Sequence, residues 1–240
     1  MKKTLWGLLA ALCGVCVVVV LLVNSAQAIT FNADFYRKTF LKVGSLAYSG
    51  MDEENIMKAG QTLIDYLSDK RDDIVVTAVV DGQQREVFND REKAHMVDVK
   101  AIFTALNTLR YAALGVLLLA AALAVWRLKW KRTLKGFGLS LGVTGVAVLV
   151  LGGVFALFAQ NPEAFDRIFY VFHTTFFSND LWLLDPATDV MIRMLPQQFF
   201  LDCAVGILAV FLVQLLLYTA AGWVIYGVIK RKPKAREVAA

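Results

Sequence analysis

Residues 106–135 read LNTLRYAALGVLLLAAALAVWRLKWKRTLK. An apolar run, 106–126, passes directly into a stretch that carries Arg127, Lys129, Lys131, Arg132 and Lys135 and no acid. A helix needs about 20 apolar residues to cross ~30 Å of hydrocarbon. Lys and Arg clustered at the end of such a run stay on the cytoplasmic side. Three more apolar runs, 5–23, 137–159 and 199–229, lie outward from this one. The chain of 240 residues is 58% apolar with a mean hydropathy of +0.58, which excludes a disordered polypeptide. Because the apolar residues gather in runs, the sequence specifies a polytopic membrane protein and not one soluble domain.

The charge distribution supplies a direction. The 127–135 loop, Lys2, Lys3 and the tail residues Lys230, Arg231, Lys232, Lys234 and Arg236 put 12 basic residues against one acid, Glu237, on one side. The remaining 13 basic residues face 19 acids. Both termini are therefore expected in the cytoplasm, and the net charge of +5 is explained by topology without a nucleic-acid partner. The expected division is a tail and first span (1–23), an extracytoplasmic cap (24–105), a second span (106–126), a basic cytoplasmic loop (127–136), a third span (137–159), an aromatic interfacial segment (160–198), a fourth span (199–229) and a basic tail (230–240). The expected fold class is a mainly α membrane protein: four transmembrane helices with a small α/β extracytoplasmic cap.

Two features of the first run need separating from this reading. Ala26-Gln27-Ala28 imitates a signal-peptidase site, but the apolar stretch before it exceeds the usual 7–15 residues and reads as an uncleaved anchor. Cys13, Cys16 and Cys203 lie in or beside apolar runs, so they form neither a disulfide framework nor a zinc ribbon and read as packing residues.

In the first outside segment, Met51-Asp52-Glu53-Glu54 precedes Ile56, Leu63 and Leu67, an amphipathic helix with acids in its first turn. Residues 74–80 are β-rich, Asp81-Gly82 is a hairpin turn, and 85–88 is the return strand. Asn89 or Asp90 then caps a helix that nothing interrupts before the cytoplasmic loop. In the second outside segment Pro162 starts a helix with Phe165, Ile168, Phe169 and Phe172 on one face, an interfacial helix. Asp185-Pro186 is expected to start a further short helix, ended or redirected by Pro196.

The chain has two histidines, and both fall outside the membrane. His95 lies between Glu92 and Asp98, each three residues away on a helix and able to orient the ring. His173 ends the interfacial helix. Histidine is the usual acid–base side chain near neutral pH, so two meeting where cap and bilayer touch could exchange protons in one reaction. The bland reading, an exposed histidine and a packed one, stands beside it. Glu92-x-x-His95 matches a di-iron spacing, but the second copy that motif requires is absent. No zinc spacing, nucleophile elbow or phosphate loop occurs. Phe176, Phe177, Trp182, Phe199 and Phe200 read by default as an aromatic belt. Asp180, Asp185, Asp189 and Asp202, so near an apolar slab, need partners. Asp185 is explained as a helix cap. The glycines at 136, 138, 142, 145, 152 and 153 suit close helix packing in lipid.

Two stretches carry a resemblance. FNDREKAHMVDVK at 88–100 and FHTTFFSNDLW at 172–182 resemble the hallmark segments of a bacterial four-span integral membrane protein family that includes Lit, the lipoprotein intramolecular transacylase, and LPQQFF at 195–200 continues the likeness. The resemblance implies a plasma-membrane enzyme acting on a diacylglyceryl-modified lipoprotein N-terminus. It would move the sn-2 acyl chain onto the α-amino group of the N-terminal cysteine and leave a lyso-form lipoprotein. It further implies that His95 and His173 are catalytic, supported by Glu92, Asp98 and Asp180. Phe172, Phe176, Phe177, Asn179 and Trp182 would line the substrate site beside membrane lipid. An ester exchanged for an amide needs no metal, nucleotide or other cofactor. The competing reading is a non-catalytic membrane sensor or lipoprotein-binding or assembly protein, and a third is a metal-assisted lipid hydrolase. The topology has its own test: a cysteine placed at Ala187 is labelled from outside the cell by an impermeant thiol reagent and one at Thr133 is not, and the reverse pattern contradicts the orientation.

Overall fold

The computed structural model describes residues 2–127, 145, 152–153 and 162–230. Among them the protein is mainly helical, with one two-stranded sheet. Three helical stretches are long and apolar enough to cross a membrane: Leu8–Thr30, Asp90–Leu123 and Gln197–Ala221. The expected third span, the basic loop after Arg127 and the tail after Lys230 lie outside the described residues, apart from Gly145, Gly152 and Gly153. Contacts group the described residues into two units. The first draws on Met1–Asn24, Thr108–Val154 and Ala209–Ala240, the second on Ser25–Asn107 and Phe155–Leu208. In the first unit Arg110 donates to Asn24 Oδ1 at 3.1 Å, so this span-embedded cation has a polar partner. Gly145 is buried, and a β-carbon there would lie 3.5 Å from Leu215.

Helix α1 (Lys2–Thr30) runs unbroken through Ala26-Gln27-Ala28. Within the second unit its Gln27 donates to Asn107 at 2.8 Å. Two helices follow that the sequence reading left unassigned. Helix α2 (Ala33–Val43) is capped by Asn32, which accepts from Phe35 N–H, and is stopped by Gly44 at φ 76°. Helix α3 (Ser45–Ser49) ends at Gly50, φ 69°. Helix α4 (Glu53–Leu67) starts on Asp52, whose carboxylate accepts from Asn55 N–H at 2.8 Å, as its acidic first turn requires.

Strands β1 (Thr77–Val80) and β2 (Gln83–Glu86) pair antiparallel with Val80 opposite Gln83. The turn residues Asp81 and Gly82 both adopt positive φ, 53° and 78°, which matches the strand twist in a two-residue hairpin. That turn is tied on two sides. Asp81 N–H donates to Gly50 O at 2.9 Å, and Arg193 donates to Asp81 Oδ2 at 3.3 Å. A β-carbon on Gly50 would sit 1.9 Å from Asp81 Oδ1, so the close approach excludes a side chain there.

Helix α5 is one continuous 38-residue helix, Asp90–Arg127. At ~1.5 Å per residue it is about 57 Å long, well beyond the hydrocarbon thickness. Helix α6 (Pro162–Phe176) continues through His173. Helix α7 (Val190–Met194) begins four residues later than Asp185-Pro186 suggested. Asp185 Oδ1 accepts from Ala187 N–H in a local turn, and Asp189 occupies the cap position. Pro196 separates α7 from α8 (Gln197–Lys230) as expected. The second unit packs around Phe40, Ile56, Ile64, Val80, Phe88, Val190 and Met194, all at most 1% exposed. Phe199 of α8 stacks on Phe40 at 5.6 Å.

The joint between α5 and α7 is polar and buried. Asn89 Oδ1 accepts from Glu92 N–H at 3.0 Å, and Glu92 Oε2 accepts from Asn89 N–H at 2.7 Å, a reciprocal capping box. The other oxygen, Oε1, accepts from Met191 N–H in the first turn of α7. Asn89 Nδ2 donates to Asp189 at 2.6 Å, and Asp189 also accepts from Thr188 Oγ1 and Asp185 N–H. Glu92 is fully buried. Burial pushes its carboxyl up, against the opposing pull of the Met191 and Asn89 amides. Glu92→Ala orphans both amides at about 1–3 kcal/mol each. The expected result is a clear drop in the thermal midpoint of the detergent-solubilised protein, with Asp90→Ala near wild type. Equal midpoints for the two variants contradict this role for Glu92.

Candidate active site

On α5, Arg91, His95 and Asp98 follow at i, i+4 and i+7 and share one helix stripe. The segment after α6 folds onto that stripe. Arg91 donates to Asp180 O and lies 3.7 Å from the Asp180 carboxylate. Asn179 Nδ2 donates to Asp98 Oδ2 at 2.8 Å. Asn179 also organises its own loop, since its Oδ1 accepts from Leu181 N–H and its carbonyl accepts from Trp182 Nε1 at 3.0 Å. Two attachments, one a turn before His95 and one a turn after, thus fix the loop between Phe177 and Trp182 against α5.

Between them the two histidines come together. His95 is 7% exposed and His173 is 8% exposed, with ring centroids 6.2 Å apart and planes inclined by 33°. Aromatic rings enclose the pair. Phe177 meets His95 edge-on at 5.1 Å and His173 at 5.4 Å. Phe169 and Trp182 lie 3.9 and 4.8 Å from the His173 ring. Phe172 touches it edge-on at 5.3 Å and stays 43% exposed, while Phe176 is 58% exposed and stacks beside Phe172. Phe172 and Phe176 also line an open apolar groove along α6 with Ile168 and Val171.

The hydrogen bonds distinguish the two rings. His173 Nδ1 lies 2.7 Å from Phe169 O, a carbonyl that can only accept. Nδ1 therefore carries the proton in the neutral ring, and Nε2 presents its lone pair. His95 Nδ1 is buried and has no partner among the described residues. Burial, with His173 nearby, lowers the His95 pKa to about 4, opposed by Asp98. Burial also lowers that of His173, opposed by the Phe169 carbonyl. At neutral pH both rings are neutral.

The expected site residues therefore divide. His95, His173, Phe172, Phe177 and Trp182 gather in one cluster, with Phe176 at its edge. Asp98, Asn179 and Asp180 belong to the clamp around it. Glu92 does not orient His95: its oxygens are taken by Asn89 and Met191, so its role is architectural. Phe169 and Arg91 were not singled out in the sequence. Phe169 was legible only as part of an apolar stripe, and Arg91 only as a surface charge. Among the described residues no three His, Cys, Asp or Glu side chains gather as a metal site.

A sequence profile of the family described as lipoprotein intramolecular transacylase Lit matches residues 11–200. The chain belongs to this family. No curated protein sequence matches it. Among solved structures, Bacillus cereus lipoprotein intramolecular transacylase Lit, determined in meso, is similar with a TM-score of 0.72 at 20% identity, covering 95% of this chain and 99% of that one. A form of the same protein with one histidine replaced by alanine gives 0.73 at 19% identity, over 96% and 98%. The fold is shared over nearly the whole of both chains.

The tautomers are open to measurement. In protein with ¹⁵N-labelled histidine at pH 6.5, both imidazoles are expected neutral, with one showing a protonated Nδ1 and a bare Nε2. Loss of that pattern in His173→Ala assigns it. An imidazolium signal for His95 at this pH contradicts the burial described.

Proposed function

We propose that this member of the lipoprotein intramolecular transacylase family moves the sn-2 acyl chain of a diacylglyceryl lipoprotein onto the α-amino group of the same molecule's N-terminal cysteine. His95 and His173 serve as the acid–base pair. The observation that carries the reading is the buried, aromatic-walled imidazole pair, 6.2 Å between centroids, in a chain of this family.

The α-ammonium, with a reference pKa of ~7.7–8.0, first releases one proton. The free amine attacks the ester carbonyl, forming the N–C bond. His173 Nε2, whose lone pair is held ready by the Phe169 carbonyl, takes the second proton from nitrogen. The C–O bond to glycerol breaks, and that proton passes to the departing oxygen. The neutral His95 ring donates to the carbonyl oxygen as it gains charge. An imidazole of lowered pKa stays uncharged until the substrate supplies the proton, so the pair does not repel the cationic amine on entry. Phe172, Phe176, Phe177 and Trp182 seat acyl chains, and the α6 groove extends that apolar surface. The enzyme's main contribution is orientation of two parts of one substrate, for which effective-molarity gains reach ~7–11 kcal/mol. The proposal includes the orientation with both termini cytoplasmic, segments 24–105 and 160–198 outside, and a substrate approaching from the outer leaflet.

A mixture of two lipopeptides tests the reaction, one with isotope-labelled acyl chains and one with a mass-tagged peptide. Each lyso-product is expected to carry on its amine the chain it began with, at unchanged mass. His95→Ala and His173→Ala are each expected to lower turnover by roughly 10²–10⁴-fold, with the double variant little worse. Label crossing between peptides, free fatty acid as main product, or near-normal turnover in either variant overturns the proposal.

A further inference from the structure

Beside the histidine pair stands a carboxylate that no cation neutralises. The early α5 cations are committed elsewhere: Arg91 to Asp180, Lys93 to Glu86 and Asp90, and Lys100 to Asp69 at 2.9 Å. Of the early α5 acids, Asp90 has Lys93 and Glu92 has two backbone amides. Asp98 has neither. Its Oδ2 accepts from the neutral Asn179 amide at 2.8 Å, and among the described residues it joins no ion pair. Asn179 uses its own oxygen to accept from Leu181 N–H, so the loop turns its NH2 to Asp98. Asp98 is half-buried, one helical turn past His95 on the same stripe. A second observation lies one turn away: His95 is 7% exposed, and its buried Nδ1 has no partner among the described residues.

A half-buried carboxylate fixed by one neutral donor, one turn from the buried His95 ring, is built for a cation that arrives from outside. Under the proposed reaction the substrate supplies one. We infer that Asp98 is the counter-ion that receives the α-ammonium of the lipoprotein's N-terminal cysteine and holds it beside the histidine pair. The inference rests on the proposed function and assigns one recognition element of that same site. Asp98 is then a positioning residue for the nitrogen, through a charge-assisted hydrogen bond. It explains why a free N-terminus, and not merely a lipidated peptide, would be selected. Asn179 holds Asp98 in place for it.

The test uses the full chain in nanodiscs and two non-transferable analogues of a diacylglyceryl lipopeptide, with the sn-2 ester replaced by an ether. One has a free N-terminus and the other is N-acetylated. The wild type is expected to prefer the free amine by at least about tenfold, the scale of a charge-assisted bond. In Asp98→Asn the preference is expected to fall to about unity, with affinity for the acetylated analogue unchanged, and Asp98→Glu is expected to recover part of it. A merely structural role weakens both analogues alike, and that result overturns the inference. So does a wild type without preference, or a preference that survives Asp98→Asn. The wild-type chain carries an independent readout should the variants fail to fold. A water-soluble carbodiimide is expected to cross-link the free-amine analogue to Asp98, identified by peptide mass spectrometry, and a cross-link to another carboxylate instead overturns the inference. Turnover of the ester substrate by the wild type, measured in parallel, separates the two levels. Its absence removes the proposed reaction, whereas turnover without ammonium discrimination removes only the role of Asp98.

Discussion

The Glu92 carboxylate is the constraint on which the cap depends. It is fully buried, and its two oxygens join the N-terminus of α5 to that of α7. Neither helix could leave its first amides unsatisfied in an apolar surround. One side chain accepts from both, and Asn89 and Asp189 complete the joint. The consequences run down α5. With its first turn pinned, the stripe Arg91, His95, Asp98 has a fixed rotational setting, and the loop from Phe177 to Trp182 has a fixed surface to close on. The histidine cluster is thus positioned by a polar joint outside it.

The cluster itself inverts the usual use of aromatic rings. Phe169, Phe177 and Trp182 sit too close to the His173 ring to leave it hydrated. Desolvation then favours the neutral imidazole, and a single backbone carbonyl selects its tautomer. A carboxylate in the place of Phe169 O would have kept a proton on the ring and a charge in the site. The aromatic wall and the carbonyl together favour an imidazole that is uncharged at rest.

Local signals were legible in the sequence and long-range ones were not. Asp81-Gly82 marked the hairpin because positive φ is a property of the turn residues alone, and Asp52 marked the start of α4 in the same way. The histidines stood out by scarcity and by their neighbours, and the fold brings them within one cluster. Glu92 was read as a partner of His95 because helix spacing puts it one turn away. Its actual donor, Met191, is remote in the chain, and no spacing rule connects them. The same limit applies at Asp185, where a residue suited to capping closes a local turn while α7 begins at Val190. Helices α2 and α3 carried their own punctuation in Asn32, Gly44 and Gly50. Their short apolar faces, Tyr36, Thr39 and Phe40 in α2, become intelligible only when set against Phe199.

The unbroken course of α5 has a mechanical corollary. Without proline or a kink-forming pair between Asp90 and Arg127, the helix behaves as a stiff rod. His95 stands 11 residues before the start of the span expected at 106–126, about 16 Å along the axis. Spans accommodate a bilayer thinner or thicker than their apolar length by tilting. A change of roughly 10° at the span swings a point that far along the rod by about 3 Å relative to the lipid, on the scale of half the separation of the two imidazoles. Under the proposed reaction the ester is carried by the lipid and His95, the donor to its carbonyl oxygen, by the rod. Acyl-chain length in the surrounding bilayer, through its thickness, therefore enters the alignment of His95 and ester alongside the residues that touch them.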